Sequence, residues 1–102
     1  VPLAFGTDWP TAPLSPFNAI HAAMTRQPWA MDVPDQRIPF DAVIDAYTLG
    51  GAYALFAEGH RGQLVPGMVA DLTLIAGDLP RDIAGCRAVL TLCDGRVIHN
   101  ET

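Results

Sequence analysis

The chain of 102 residues has room for one domain, and it carries a formal net charge of −5 with 50% hydrophobic and 17% charged residues. Its six basic residues are all arginines scattered along the chain, which argues against nucleic acid or an anionic membrane as the partner. Two cysteines are too few for a disulfide scaffold or a structural zinc site, and no apolar run approaches the ~20 residues that span a membrane.

The share of charged residues is below the ~25% of average globular domains, which indicates an apolar surface that is covered by further polypeptide. This polypeptide is either the rest of a larger protein or another copy of the chain. The first residue is Val1 rather than Met, and no signal peptide is visible. We therefore expect an N-terminus left by truncation, processing or experimental design.

The N-terminal stretch combines a short apolar run with a polar turn. The apolar run covers residues 1–5 and stops before Gly6, and it predicts a buried strand or its stub. Asp8 and Trp9 follow at once, and a carboxylate and an indole just after a strand lie where α/β enzymes place their sites. From the residues alone, however, Asp8 is expected to be an ordinary turn or N-cap aspartate.

Helical periodicity occupies the rest of the first half. Ser15 and Pro16 are typical of a helix start, and Pro28 is expected to end this first helix. Two apolar stripes have helical spacing, Phe17, Ile20, His21 and Met24 in the first helix and Phe40, Val43, Ile44 and Tyr47 in the second. The pair Gly50-Gly51 is expected to interrupt the second stretch, which predicts two consecutive helices.

The second half has the pattern of antiparallel strands. Asp71 precedes a strand over residues 72–75, and a second strand is predicted over residues 88–93. Asp94-Gly95 is a strong signal for a two-residue hairpin turn, after which residues 96–99 return. Helices therefore precede strands along the chain.

Four stretches carry a likeness to a known family through their order and spacing. They are residues 6–10 with 12–16 (GTDWP and APLSP), residues 34–38 (PDQRI), residues 46–48 with 51–56 (AYT and GAYALF), and residues 62–72 (GQLVPGMVADL). Each stretch alone is weak, whereas the ordered set is fairly specific. Together they resemble the C-terminal end of amidohydrolase family 3, a branch of the metal-dependent hydrolase superfamily.

The resemblance implies an α+β chain that ends a larger fold. The last strand and the helices of a TIM-like amidohydrolase barrel would be followed by a small antiparallel β-hairpin domain. Residues 1–61 would be the barrel segment, with a strand stub at 1–5 and helices at 16–27 and 40–56. Residues 62–102 would be the C-terminal part of a β-domain that the family builds from both chain ends.

The resemblance also implies the chemistry. In the family, an Asp at the end of the last barrel strand is a metal ligand or the general base for metal-bound water that attacks an amide-type carbonyl, and the matching residue is Asp8. The implied cofactor is zinc or another divalent metal, and the implied partner is a small amide-type substrate. Trp9 would line the substrate pocket, or else it is a packed core indole.

The departure from the family pattern is large. The His-x-His pair, the bridging carboxylate or modified Lys and the later His ligands are all missing from this sequence. Since a catalytic zinc site needs about three protein ligands, Asp8 alone cannot hold the ion. We therefore expect the chain by itself to bind no metal and to be inactive.

The remaining chemistry-bearing residues have plainer interpretations. His21 is expected to pack on its helix, and His60 and His99 to face solvent, because no His-x-His spacing links them to Asp8. Asp71 is expected to hydrogen-bond the backbone of the preceding loop. Cys86 and Cys93 are expected to be small buried residues on opposite faces of a strand.

A second hypothesis stays open. The chain would be a stand-alone, non-enzymatic module that self-associates through its exposed strand and apolar helix faces, or binds another partner. A lone barrel strand has unpaired N–H and C=O groups that favour pairing with another chain. Neither nucleic acid nor a membrane is expected as a partner, and a bacterial cytoplasm is the predicted location.

Overall fold

The computed structural model describes residues 2–102 and has helices followed by strands. The elements are α1 (Phe17–Thr25), α2 (Phe40–Tyr47), α3 (Leu49–Ala54), β1 (Leu72–Ala76), a 3₁₀ turn (Ile83–Gly85), β2 (Arg87–Cys93) and β3 (Arg96–Asn100). This order confirms the predicted α+β class and the predicted sequence of helices and strands.

The predicted N-terminal strand is not formed. Val1 lies outside the described residues, and residues 2–7 take no helix or strand. One backbone hydrogen bond ties this segment to the helices, from Phe5 N to Ala46 O at 3.0 Å. The physical reason is that a strand needs a neighbouring strand to satisfy its backbone groups, and residues 2–102 bring none alongside.

The helix boundaries differ from the sequence prediction in informative ways. Pro16, rather than Ser15, holds the N-cap position of α1, and α1 ends at Thr25 before Pro28 is reached. The second helical stretch breaks at Thr48 (φ −122°, ψ −85°) and not at Gly50-Gly51. The Thr48 hydroxyl donates a hydrogen bond to Ile44 O at 2.7 Å, so its side chain bonds back to the preceding turn.

Gly50 has a different function from the predicted one. It lies inside α3, where a Cβ atom would collide with the carbonyl oxygen of Leu3. Glycine is therefore required here because the N-terminal segment crosses the helix in direct contact with its backbone.

The hydrophobic core joins the helices to the 3₁₀ turn. Its buried centre is Ile20 of α1, Val43 of α2 and Ile83 of the turn. Phe5 packs beside this centre, with its ring edge-on to Tyr47 at a centroid distance of 5.7 Å. Ile83 thus anchors the strand-bearing half of the chain on the helical half.

The sheet is antiparallel in the order β1-β2-β3. Asp94 and Gly95 both have positive φ, 51° and 75°, as a type I′ hairpin turn requires. The predicted hairpin is therefore confirmed, and β1 extends it into three strands, with Leu72 opposite Leu92 and Leu74 opposite Leu90. These pairs form an apolar face on which no helix packs among the described residues.

The molecule is less compact than its length allows. Its radius of gyration is 15.0 Å, against ~13 Å for a compact domain of this size. The apolar surface expected from the low charge is present, since many large side chains are exposed, including Trp29, Met31, Phe56 and Leu64. Within residues 2–102, no helix has the length and hydrophobicity to cross a membrane.

Candidate functional site

The candidate site is the turn that follows the N-terminal segment. Asp8 adopts φ 51°, in the left-handed region, and its carbonyl oxygen accepts a hydrogen bond from Thr11 N at 2.8 Å. The peptide bond between Trp9 and Pro10 is cis. The Asp8 side chain is exposed, so its carboxylate is available to whatever lies against this turn.

Trp9 lies at the surface of the same turn. Its side chain is 64% exposed within residues 2–102. Both interpretations of Trp9, a wall of the substrate pocket or an indole packed at the mouth of a barrel, stay predictions, because the rest of a barrel is not among these residues. An exposed indole beside an exposed carboxylate suits the wall of a site. A groove of about 430 Å³ is lined by α2, α3 and residues 2–3, and neither Asp8 nor Trp9 borders it.

The histidines do not join Asp8. His21, His60 and His99 are all exposed, which makes the expected packing of His21 wrong and agrees with the other two predictions. Of the stripe on α1, Ile20 reaches the core, whereas His21 faces solvent. Across residues 2–102, no three His, Cys, Asp or Glu side chains come close enough to hold a metal ion.

Asp71 has the structural function expected of it, with a different partner. Its Oδ1 accepts a hydrogen bond from Asp94 N at 2.7 Å, which is the backbone of the hairpin turn rather than the preceding loop. Its Oδ2 lies 3.7 Å from a guanidinium nitrogen of Arg61. Asp71 therefore links the loop after α3 to the tip of the β2–β3 hairpin.

The shortest ion pair of the described residues, between Arg37 and Asp35, was not predicted from the sequence. Arg37 donates from its backbone N, Nε and a terminal nitrogen to the Asp35 carboxylate, with a shortest distance of 2.7 Å. The side-chain hydrogen bonds from Arg37, with those from its backbone, lower the pKa of Asp35 to about 2. The spacing Asp-x-Arg after a proline was the signal, and it orders the loop before α2 rather than a site.

The two cysteines differ in environment. Cys86 is buried, its Sγ lies 3.2 Å from Asp82 O, and burial, with the nearby carboxylates of Asp82 and Asp78, raises the pKa of its thiol. Cys93 is exposed, so the prediction that both are buried is wrong for Cys93. Both are free thiols, and Cys86 precedes β2 instead of lying on it.

Comparisons with known proteins give one family match, one similar sequence and one similar structure. The sequence profile described as the Amidohydrolase family matches residues 1–99. The Arabidopsis thaliana protein named LONG AFTER FAR-RED 3 is 38% identical over 77 residues, which cover 72% of this chain and 13% of that protein. The crystal structure of an amidohydrolase from Thermotoga maritima MSB8 superposes with a TM-score of 0.71 at 22% identity, covering 98% of this chain and 23% of that one.

The sequence identity and the length covered by these matches limit what they show about this chain. At 22% identity the Thermotoga structure shares the fold. The chain spans 13% of the length of the Arabidopsis protein and 23% of the Thermotoga enzyme. The compared proteins therefore contain several times more polypeptide than the residues described here.

Proposed function

The chain belongs to the amidohydrolase family, and on this premise we propose that it is the C-terminal part of a metal-dependent hydrolase that cleaves an amide-type C–N bond in a small molecule. The observation that carries the proposal is the family match over residues 1–99 together with a fold match that uses 23% of a whole amidohydrolase. Alone, the chain is proposed to be inactive, because the other residues of the site belong to the remainder of such an enzyme.

We propose the same division for the fold. Residues 1–61 would contribute the last strand and the outer helices of a barrel, and residues 62–102 part of a β-domain. Two features support this: residues 2–7 have no strand beside them, and an apolar sheet face carries no helix among the described residues. Upstream strands would supply the missing neighbours for both.

The residues described here do not by themselves fit the divalent metal that the family implies. Asp8 is an exposed carboxylate, and no group of three ligand side chains includes it within residues 2–102. A catalytic zinc site takes about three protein ligands. The metal, if the intact protein binds one, would therefore depend on ligands from outside this part of the chain.

Asp8 is the residue proposed to act in the intact protein. A carboxylate is suited either to ligate a metal or to accept a proton from the attacking water. The hydrogen bond from Thr11 N to Asp8 O closes the turn that carries this carboxylate, which supports a defined backbone position for Asp8. Trp9, exposed on the same turn, is proposed to contact the substrate.

The test is complementation. The chain alone, given zinc, is expected to hydrolyse no amide substrate, and activity is expected when the upstream segment encoded before Val1 is supplied with it. Sequencing that upstream region comes first, since a reading frame that continues into a His-x-His strand supports the proposal. A start codon adjoining Val1 would contradict it.

A second candidate function rests on the exposed apolar surface. Trp29 is 84% exposed and Phe56 91%, and both values are unusual for aromatic residues of a self-sufficient domain. The chain would then be a non-enzymatic module, present in a bacterial cytoplasm, that associates with itself. Sedimentation of a well-folded monomer at high protein concentration would count against this candidate.

A further inference from the structure

The tip of the β2–β3 hairpin is held by residues from outside the hairpin. A two-residue turn pairs the residues that flank it, so the hairpin offers no partner to the amide groups of the turn itself. Both amides are nevertheless bonded. Asp94 N donates a hydrogen bond to Asp71 Oδ1 at 2.7 Å, and Gly95 N donates one to Ala70 O at 2.9 Å. We call this pair of hydrogen bonds the tip clasp.

Neighbouring contacts hold the residues that form the clasp. Val69 N donates a hydrogen bond to His60 O at 2.7 Å, and a guanidinium nitrogen of Arg61 lies 3.7 Å from Asp71 Oδ2. Residues 69–71 are thus tied to the loop after α3 where they meet the hairpin tip. A hydrogen bond to a carboxylate is stronger than one to a neutral carbonyl. Asp71 therefore provides the stronger of the two bonds in the clasp.

The turn is also the only Asp-Gly dipeptide in the 102 residues. Such dipeptides rearrange readily, because glycine has no side chain to shield its backbone nitrogen. Gly95 N attacks the side-chain carboxyl carbon of Asp94; a C–N bond forms, the C–OH bond breaks, and the hydrogen of the nitrogen leaves with the hydroxyl as water. Solvent water then cleaves the bond between this nitrogen and the α-carbonyl of Asp94. The product is isoaspartate, in which Gly95 is joined through the aspartate side chain.

The clasp engages the groups that have to move in this reaction. Gly95 N is the nucleophile, and its N–H points at Ala70 O instead of leaving the nitrogen free to turn towards the Asp94 carboxyl group. The bond from Asp94 N to Asp71 holds the backbone of Asp94 at φ 51°. The reaction therefore proceeds from the open clasp, and its rate is set by the fraction of time that the clasp is open.

We propose that Asp94-Gly95 is a site of isoaspartate formation in this chain and that Asp71 controls its rate by keeping the tip clasp closed. Isoaspartate adds one carbon atom to the backbone of a two-residue turn, whose type I′ geometry determines how the flanking strands pair. The modification therefore releases the hairpin tip from residues 70–71. The proposal concerns contacts within residues 60–95 and depends on neither candidate function above.

The test follows isoaspartate at residue 94 in the full chain at neutral pH, with a protein isoaspartyl methyltransferase as the probe and chromatography of the hairpin peptide as the second readout. The folded native chain is expected to form isoaspartate roughly tenfold or more slowly than the chain unfolded in urea. Asp71→Ala is expected to raise the rate in the folded chain by roughly tenfold, because it removes the charge-assisted bond. Asp71→Asn, which keeps an acceptor oxygen, is expected to restore most of the protection.

Val89→Ala controls for a general loss of stability. Val89 is buried in β2, so its truncation weakens the sheet while both bonds of the clasp remain. Under conditions where circular dichroism shows folded chains, this variant is expected to form isoaspartate at nearly the native rate. An equal acceleration by Val89→Ala and Asp71→Ala overturns control by Asp71. Equal rates in the folded and urea-unfolded native chain overturn the protective clasp even where Asp71→Ala does not fold.

Discussion

Asp35 and Arg37 show how single side chains order a loop without forming a site. On the surface, the Arg37 guanidinium and the Arg37 backbone N–H both donate hydrogen bonds to the Asp35 carboxylate, and these bonds lower the pKa of Asp35 to about 2 from an ordinary 3.8. The folded-state pKa is the lower one, so the stability that this pair contributes is present above pH 3.8 and is lost as the pH falls towards 2.

The first prediction follows from that pair. In an NMR titration of the side-chain carboxyl signals, Asp35 is expected to titrate near pH 2, and Arg37→Gln is expected to return its pKa towards 3.8. Arg96→Gln, which changes an exposed arginine on β3, should leave the titration of Asp35 unaltered. An Asp35 signal that already titrates near 3.8 in the native chain would contradict the contact.

The second prediction concerns the thiols. Cys93 is exposed, whereas burial and the carboxylates of Asp82 and Asp78 raise the pKa of Cys86 and keep it protonated. Because the thiolate is the reactive form, Cys86 is expected to react with a disulfide reagent at neutral pH roughly tenfold or more slowly than Cys93. The Cys93→Ser variant isolates the slow phase, and two equal rates in the native chain would be inconsistent with the structure.

Among the elements, α3 is the helix that the N-terminal segment crosses, and the contact between them depends on a glycine of α3. Gly50 touches the Leu3 carbonyl, whereas a Cβ on Gly51 meets nothing within 4 Å. These neighbouring glycines in one helix therefore have opposite requirements, which makes them a matched pair for mutation.

The third prediction uses this pair. Gly51→Ala is expected to stabilise the chain by about 0.5–1 kcal/mol, because alanine loses less conformational entropy in a helix. Gly50→Ala is expected to destabilise it by roughly 1–3 kcal/mol, because the methyl group forces the N-terminal segment away from α3. Urea denaturation of both variants measures the difference, and equal effects would mean that Leu3 does not lie on Gly50.

Local chemistry explains which elements were predictable. The turn residues Asp94 and Gly95 determine the hairpin through their own backbone preferences, and it was predicted correctly. The strand at residues 1–5 depends on neighbours that the described residues do not supply, so its apolar pattern misled. The helix breaks at Thr48, whose hydroxyl donates a hydrogen bond to Ile44 O, whereas the composition predicted a break at the glycines.

The candidate site was less predictable than the fold. Asp8 was singled out by its resemblance to a family motif, since one exposed carboxylate in a turn has no distinguishing pattern. The Asp35–Arg37 pair was missed because its geometry appears only once the loop closes. Residues that complete a site from distant parts of a longer protein leave no signal in the 102 residues of this chain.

At the scale of the whole molecule, the fold is extended and leaves apolar surface that a larger protein would cover. The radius of gyration exceeds that of a compact domain by ~2 Å. Within residues 2–102, the N-terminal segment is mostly exposed and the apolar face of the sheet is partly exposed, and Leu55 and Phe56 after α3 are exposed. An upstream barrel or a second copy would bury this surface, and the two proposals differ in which one does.

The central claim is that Asp8 belongs to the active site of a longer amidohydrolase. The measurement that tests it most directly is kcat/KM for amide hydrolysis by the polypeptide that restores the upstream segment, native against Asp8→Ala, with Asp32→Ala as an exposed control. Loss of a positioned acid–base group predicts a decrease of about 10²-fold or more for Asp8→Ala, with Asp32→Ala unchanged. An Asp8→Ala rate equal to that of the native protein would contradict the claim.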